Sequence, residues 1–415
     1  MAASAPRKPA VGFIFVTLVL LMVGVGIIIP VLPGLITQFK GGSVAEGSES
    51  YGWLVGVFAA MQFIASPILG SLSDRFGRRK VILIALTGSA IDYVVLGLAP
   101  NMTWLFVARV ISGATAGSLA ACNAYIADVT PPEKRAQAYG MVGAAFGIGF
   151  VIGPALGGFF GHLSLRLPFF VAAGCVGLNA LYGAFVLPES LLPENRRPFS
   201  WKRANPVGSL LALRRFRGVV DLAWMYFIFN FAGTMLQSVW VLYTGHRFGW
   251  STLQVGLSLT YVGVMAIVVQ GVLVKRIIAR TGERKGLVLG LLISAFAMAG
   301  YGTATQSWVF IVLATFGALG GVTGPAAQAL LTKHVPPNEQ GALQGSLSGL
   351  TSLGYVFGPV IAAWSFGKAL AASGSWRIEG VAFYEASLLM LVALALALRS
   401  FQLDDRVHAK LYPSA

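Results

Sequence analysis

Charge is scarce in this sequence: 11% of its 415 residues are Asp, Glu, Lys or Arg, against roughly 25% in an ordinary soluble domain. That composition excludes a water-exposed globular surface. Cysteine is nearly absent, with two in the chain, Cys122 and Cys175. They lie in separate apolar runs without metal-ligand spacing, which argues against a metal site and reads them as small packing residues. The four histidines, His162, His246, His334 and His408, fall in loops, at the ends of apolar runs or in the tail, so no buried histidine relay is expected. The apolar runs hold no paired carboxylates, which argues against an intramembrane enzyme. No Walker-type glycine-rich loop occurs, which excludes transport driven by ATP.

What fills the chain is apolar, at 56% hydrophobic residues. A bilayer core takes about 20 consecutive apolar residues per helix. Runs of that kind cover 11–36, 51–72, 81–99, 103–127, 137–160, 167–187, 219–243, 252–274, 286–304, 308–331, 341–366 and 378–398. They predict an all-α membrane protein with twelve transmembrane helices. The first run is too long for a secretory signal, carries Pro30 and Pro33 and lacks a small-residue cleavage site, so it is expected to be retained.

The net charge of +15 would point to nucleic acid in a soluble chain, but its placement gives another meaning. With the N-terminus in the cytoplasm, 24 of the 30 Lys and Arg fall on the cytoplasmic side, five outside, and one, Arg109, within a span. That bias is the positive-inside pattern. It predicts cytoplasmic termini, a lipid bilayer as the surrounding partner, and no nucleic-acid partner.

Three features recur 205 residues apart. The loop Arg75, Gly77, Arg78, Arg79, Lys80 matches Arg280, Gly282, Glu283, Arg284, Lys285. Pro131 and Pro132 match Pro336 and Pro337. Gly149, Gly153 and Pro154 match Gly354, Gly358 and Pro359. Six spans separate each pair, so matched elements share one orientation, which predicts two parallel six-helix repeats. The halves are read as 1–187 and 217–415. Between them 188–216, with four prolines and six basic residues, is read as a charged cytoplasmic tether; a short amphipathic helix on the inner leaflet is the alternative.

The stretch Gly70, Asp74, Arg75, Gly77, Arg78, Arg79, Lys80 makes a short turn between antiparallel neighbours, with an acid set among four cations. It is very similar to the signature loop of the major facilitator superfamily, so the fold is expected to be the major facilitator fold. That resemblance implies that Asp74 and the arginines form a charge-relay latch to the opposite half. In span five Gly149, Gly153 and Gly157 recur every fourth residue beside Pro154 and Gly158, a groove for close helix approach. By resemblance this is the pattern of the drug/proton antiporter branch.

Arg109 inside span four costs roughly 2.5 to 3.5 kcal/mol at a bilayer centre and needs a partner. Asp92 in span three is the candidate. The two spans are antiparallel, and both residues lie about six positions, roughly 9 Å, from the outer end. A carboxylate held to a guanidinium keeps its charge, so Asp92 would carry a proton only in a conformation that breaks the pair. A purely structural ion pair is the competing reading. Resemblance to the family's span-four motif implicates Arg109 in proton transfer. Glu385 near the outer interface reads as structural, solvated or paired with Arg377, and Asp128 and Asp221 read as helix-end charges. Gln62, Asn123, Tyr125, Asn230, Gln237, Trp240, Gln270, Gln328 and Gln344 place amides and aromatics inside spans. Singly each reads as a helix-helix hydrogen bond; together they predict a mostly neutral cavity for an amphipathic small molecule.

Gly26 to Gly34, Ser73 to Arg79, Ala90 to Tyr93, Ala124 to Asp128, Leu187 to Ser190 and Gln344 to Ser346 resemble the tetracycline/proton antiporters of Gram-negative bacteria. The likeness implies an inner-membrane secondary transporter that works as a monomer. It would need no cofactor, draw on the proton gradient and export tetracycline-like or other drug-like molecules by alternating access. A facilitator or proton-coupled importer of an organic solute is the alternative on the same fold. Two departures matter: the family's acids in spans one and nine are replaced by Leu21 and Ser294, which leaves Asp92 as the matching membrane carboxylate.

Overall fold

The computed structural model describes residues 11–131, 134–201, 220–336, 339–373 and 378–411. Among the described residues the regular elements are helical, with no strand. Pro132, Pro337, Arg377 and residues 202–219, which include the second part of the linker, lie outside the described residues, as does the side chain of His408. Among the described residues eleven helical stretches are long and apolar enough to cross a membrane. One of them, Thr252–Thr303, has 52 residues. At 1.5 Å per residue that is about 78 Å, more than twice a hydrocarbon core of about 30 Å. The stretch is interrupted by a π-helical turn, Val269–Leu273, and by Gly282, whose φ of 75° and ψ of 168° are not helical.

In chain order the helices are α1 Val11–Ile28, α2 Leu32–Phe39, α3 Val44–Phe76, α4 Arg78–Leu98, α5 Met102–Ala116, α6 Leu119–Val129, α7 Arg135–Leu163 and α8 Leu167–Val186. After the linker come α9 Val220–Phe248, α10 Thr252–Val268, α11 Val274–Thr303, α12 Ser307–Ala318, α13 Thr323–Lys333, α14 Gln340–Ala371 and α15 Val381–Leu411. The apolar run over 11–36 is two helices rather than one. Pro30 has no N–H to donate and Pro33 sits in the first turn of α2, which restarts the helix there. The fourth run starts at Asn101, whose side chain accepts from the Trp104 amide at 3.3 Å. It breaks at Gly117 and Ser118, between α5 and α6.

Helix boundaries repeat with the spacing seen in the motifs. Met102 and Ser307, and Arg135 and Gln340, open helices 205 residues apart. Gly77 and Gly282, also 205 apart, both have positive φ, 99° and 75°. The break between α5 and α6 has its counterpart in a 3-10 turn, Leu319–Val322, between α12 and α13.

The chain forms two compact units. Unit 1 comprises Met1–Gly41, Val57–Pro206 and Ser251–Thr260; unit 2 comprises Gly42–Gly56, Val207–Trp250 and Tyr261–Ala415. In unit 1, α1 lies along α7, and α4 packs on α8 and α5. The glycine groove explains the first pairing. A Cβ on Gly153 would stand 2.7 Å from the Gly26 Cα, and one on Gly149 would strike Met22. Gly157 faces Ile27 and Pro30 in the same way, so the three glycines let two backbones touch. Gly158, on another face of α7, meets Thr252, Leu253 and Gly256. In unit 2, α9 packs on α14 and α15, and α11 on α15 and α13. An aromatic cluster of Trp240, Tyr243, Tyr301, Phe310 and Phe383 fills its core.

Candidate functional site

Asp92 on α4 and Arg109 on α5 come together in unit 1. Both are buried, at 1% and 5% exposure, and the Arg109 Nη2 to Asp92 Oδ2 distance is 4.0 Å. Ser112 bridges them: Arg109 donates to its Oγ at 2.8 Å, and that hydroxyl donates to Asp92 Oδ2. Ser112 lies three residues after Arg109 and therefore on the same helical face. That spacing is the sequence pattern by which it could have been found. The guanidinium also lies over the Phe58 ring, 5.5 Å from its centroid. Asp92 Oδ1 and Arg109 Nε are buried and have no hydrogen-bond partner among the described residues. A charged pair in this setting is stable only while both members stay charged. Adding a proton to Asp92 removes the partner of a buried cation, so the cluster can couple proton uptake to rearrangement.

The loop after α3 forms a second cluster. The Arg78 side chain, 9% exposed, pairs with Asp74 at 2.6 Å and Asp128 at 3.1 Å and donates to Ser73 Oγ at 2.6 Å. Gly77 is required twice. Its φ of 99° suits glycine, and a Cβ there would collide with the Glu189 carboxylate. That carboxylate accepts from the backbone amides of Arg78 at 2.8 Å and of Leu191 at 3.2 Å. Arg79 donates to the Ala184 carbonyl at 2.6 Å, and Ser190 donates to Asp128 at 3.0 Å. The loop is therefore tied to the ends of α6 and α8 within unit 1. Arg75 lies 5.0 Å from the Phe76 ring centroid, and a Cβ on Gly70 would stand 3.7 Å from the Ala120 Cβ. Asp128, read from the sequence as a helix-end charge, is a member of this network, as is Glu189. Asp221 meets Arg399 at 3.4 Å.

The predicted lining residues separate. In unit 2, Gln344 donates to Gln328 Oε1 at 2.8 Å, Gln328 donates to Tyr226 Oη at 3.1 Å, and Asn230 donates to the Tyr226 carbonyl at 2.7 Å. This chain of amides joins α9, α13 and α14 through Tyr226, which the sequence reading passed over. Gln237 is half-buried on α9. Trp240, 3% exposed, is a core residue, 4.6 Å from Phe310 and 5.6 Å from Tyr301 between ring centroids. In unit 1, Tyr125 is fully buried, while Gln62 and Asn123 are half-buried. Asn123 Oδ1 is without a hydrogen-bond partner among the described residues. Gln270 is exposed in the π-helical turn. Leu21 and Ser294 are both buried. Glu385 is half-buried beside Ser365, and its buried Oε2 has no hydrogen-bond partner among the described residues.

Comparison with known proteins gives consistent likenesses. The model of the Major Facilitator Superfamily matches residues 14–281 and 222–414. The class C tetracycline resistance protein of Escherichia coli is 38% identical over 379 residues, 91% of this chain and 93% of that protein. Multidrug resistance protein 2 of Bacillus subtilis is 32% identical over 348 residues, 81% of this chain and 84% of that protein. The crystal structure of a human organic anion transporter aligns with a TM-score of 0.68 at 24% identity, over 93% of this chain and 98% of that one. At that identity the structural likeness speaks for the fold.

Proposed function

The chain belongs to the Major Facilitator Superfamily, and on that premise we propose that it exports tetracycline-like or other amphipathic drug-like molecules in exchange for protons, by alternating access. The observation that carries the proton part of this reading is the buried Asp92, Ser112 and Arg109 cluster. A proton delivered to Asp92 neutralises the acid that balances Arg109. The guanidinium must then find another acceptor, and that need links protonation to helix movement. Leu21 and Ser294 leave the work of coupling to Asp92 and Arg109, with Asp74 and its arginines as the latch. The substrate part rests on the names of the relatives and on the neutral amide and tyrosine chain of Tyr226, Gln328 and Gln344. Such a chain suits a polycyclic or otherwise amphipathic compound bearing hydroxyl and carbonyl groups.

The same reading takes the 52-residue stretch as two spans hinged at Gly282, which makes twelve in two parallel six-helix repeats, 1–187 and 217–415, with 188–216 as a cytoplasmic tether. It places a monomer in the inner membrane with both termini in the cytoplasm. The proton gradient supplies the energy, without a cofactor.

Reconstituted vesicles carrying a pH-sensitive dye test it. Imposing a tetracycline gradient on the parent protein should drive proton movement, and Asp92→Asn should abolish that movement. Substrate flux without proton movement in the parent would replace antiport with facilitation, and no flux across a drug panel would remove the drug assignment.

A further inference from the structure

The export reading leaves unused a basic recess of unit 2. Two adjoining hollows of about 530 and 400 Å³ share Thr281, Arg284 and Lys285. The larger is lined by three permanent cations, Arg284, Lys285 and Lys333, and by one carboxylate, Glu283. The smaller is walled by Leu289, Leu292 and Phe401. Leu289, Leu292 and Phe296 follow one another along one face of α11 and are 43%, 44% and 64% exposed. An apolar stripe open to the surroundings on a membrane helix is a face for acyl chains. The charged hollow thus opens directly onto an apolar lane of the same helix.

The cations divide into fixed and available. Arg284 is held by Asp404 at 3.1 Å and Asp405 at 2.6 Å, and it lies 5.0 Å from the Phe401 ring centroid, so it forms a wall. His334 is turned to Asp404 at 3.3 Å. Lys285 is exposed and forms no ion pair among the described residues. Lys333 meets Glu283 at 2.5 Å, but its side chain is 63% exposed and can leave.

We propose that this recess binds an anionic phospholipid, with the phosphate between Lys285 and Lys333 and an acyl chain along Leu289 and Leu292. A basic hollow at the membrane surface recognises an acidic headgroup. The adjoining lane selects a lipid over a soluble phosphate, which has no apolar part to place there.

Native mass spectrometry of the detergent-purified full chain tests the site, using dioleoyl phosphatidylglycerol, dioleoyl phosphatidylcholine and glycerol 3-phosphate. The parent should retain phosphatidylglycerol over phosphatidylcholine by on the order of tenfold. The exposed double variant Lys285→Gln with Lys333→Gln should lose that preference, and excess glycerol 3-phosphate should displace little lipid. Equal retention of the two lipids by the parent, or an unchanged preference in the double variant, overturns the proposal. Ready displacement by glycerol 3-phosphate also overturns it, in favour of a soluble phosphate site.

Discussion

The two units carry related helices with different charges at matched positions. Arg78 and Asp128 of unit 1 pair at 3.1 Å; 205 residues on, Glu283 and Lys333 of unit 2 pair at 2.5 Å with the signs exchanged. Asp74, which also holds Arg78, is matched by Ala279. The divergence is larger inside the membrane helices. Asp92, Arg109 and Ser112 are matched by Ala297, Ala314 and Gly317. Ala297 and Ala314 are buried, and a Cβ on Gly317 would stand 2.9 Å from the Ala297 Cβ. Unit 2 closes the same helix pair with small residues where unit 1 inserts an ion cluster. A shared backbone plan tolerates either solution, so chemistry can be concentrated in one unit while the other keeps the packing.

The largest effect that would break this comparison is expected at Arg109. Truncation to Ala strands a buried carboxylate and should cost about 3 to 5 kcal/mol, whereas Arg109→Ala combined with Asp92→Ala, which imitates unit 2, should recover most of it. Thermal unfolding in detergent measures both; a double variant no more stable than the single one would refute the analogy. Next come the grooves. Gly149→Ala meets Met22 and the backbone of Val23 and should cost about 1 to 3 kcal/mol by overpacking. Its counterpart Gly354 has nothing closer than the Phe231 Cα at 3.5 Å, so Gly354→Ala should leave the unfolding temperature nearly unchanged.

The loop pairs give the smaller effects and sharpen the contrast. A double-mutant cycle on Arg78 and Asp128, read as transport rate, should show a coupling of about 1 to 3 kcal/mol. Reversing both signs should recover the unfolding temperature fully only when Asp74→Ala is added, since Asp74 would repel a glutamate at position 78. The same cycle on Glu283 and Lys333 should give about 0.2 to 1 kcal/mol, because that lysine is mostly exposed and the pair is screened. Equal couplings in the two loops would show that burial does not distinguish them.

Of the candidate site, the sequence exposed what depends on cost. Arg109 within a span demanded an acid, and the antiparallel arrangement of neighbouring runs left Asp92 as the partner in reach. Ser112 was legible as the residue three positions on, but its role as a bridge depends on the depth at which two helices cross. Asp128 and Glu189 joined the Arg78 network from residues 50 and 111 positions away, distances over which a helical repeat carries no information. Tyr226 escaped notice because an aromatic at a helix start is common, and only the positions of Gln328 and Asn230 give it partners. Trp240 is the opposite case: its aromatic ring groups it in the sequence with polar lining residues, yet edge-on and tilted ring contacts in unit 2 bury it.

By itself the sequence determined that the chain lives in lipid, where most runs begin and end, and that its halves repeat at 205 residues. These follow from solvation cost and from proline and glycine chemistry, which act locally. Tertiary structure decided which polar groups meet and which are spent on packing. It also decided that the glycines of α7 receive α1. Those outcomes turn on ångström-scale approach between helices distant in the chain, a quantity that composition and periodicity do not encode.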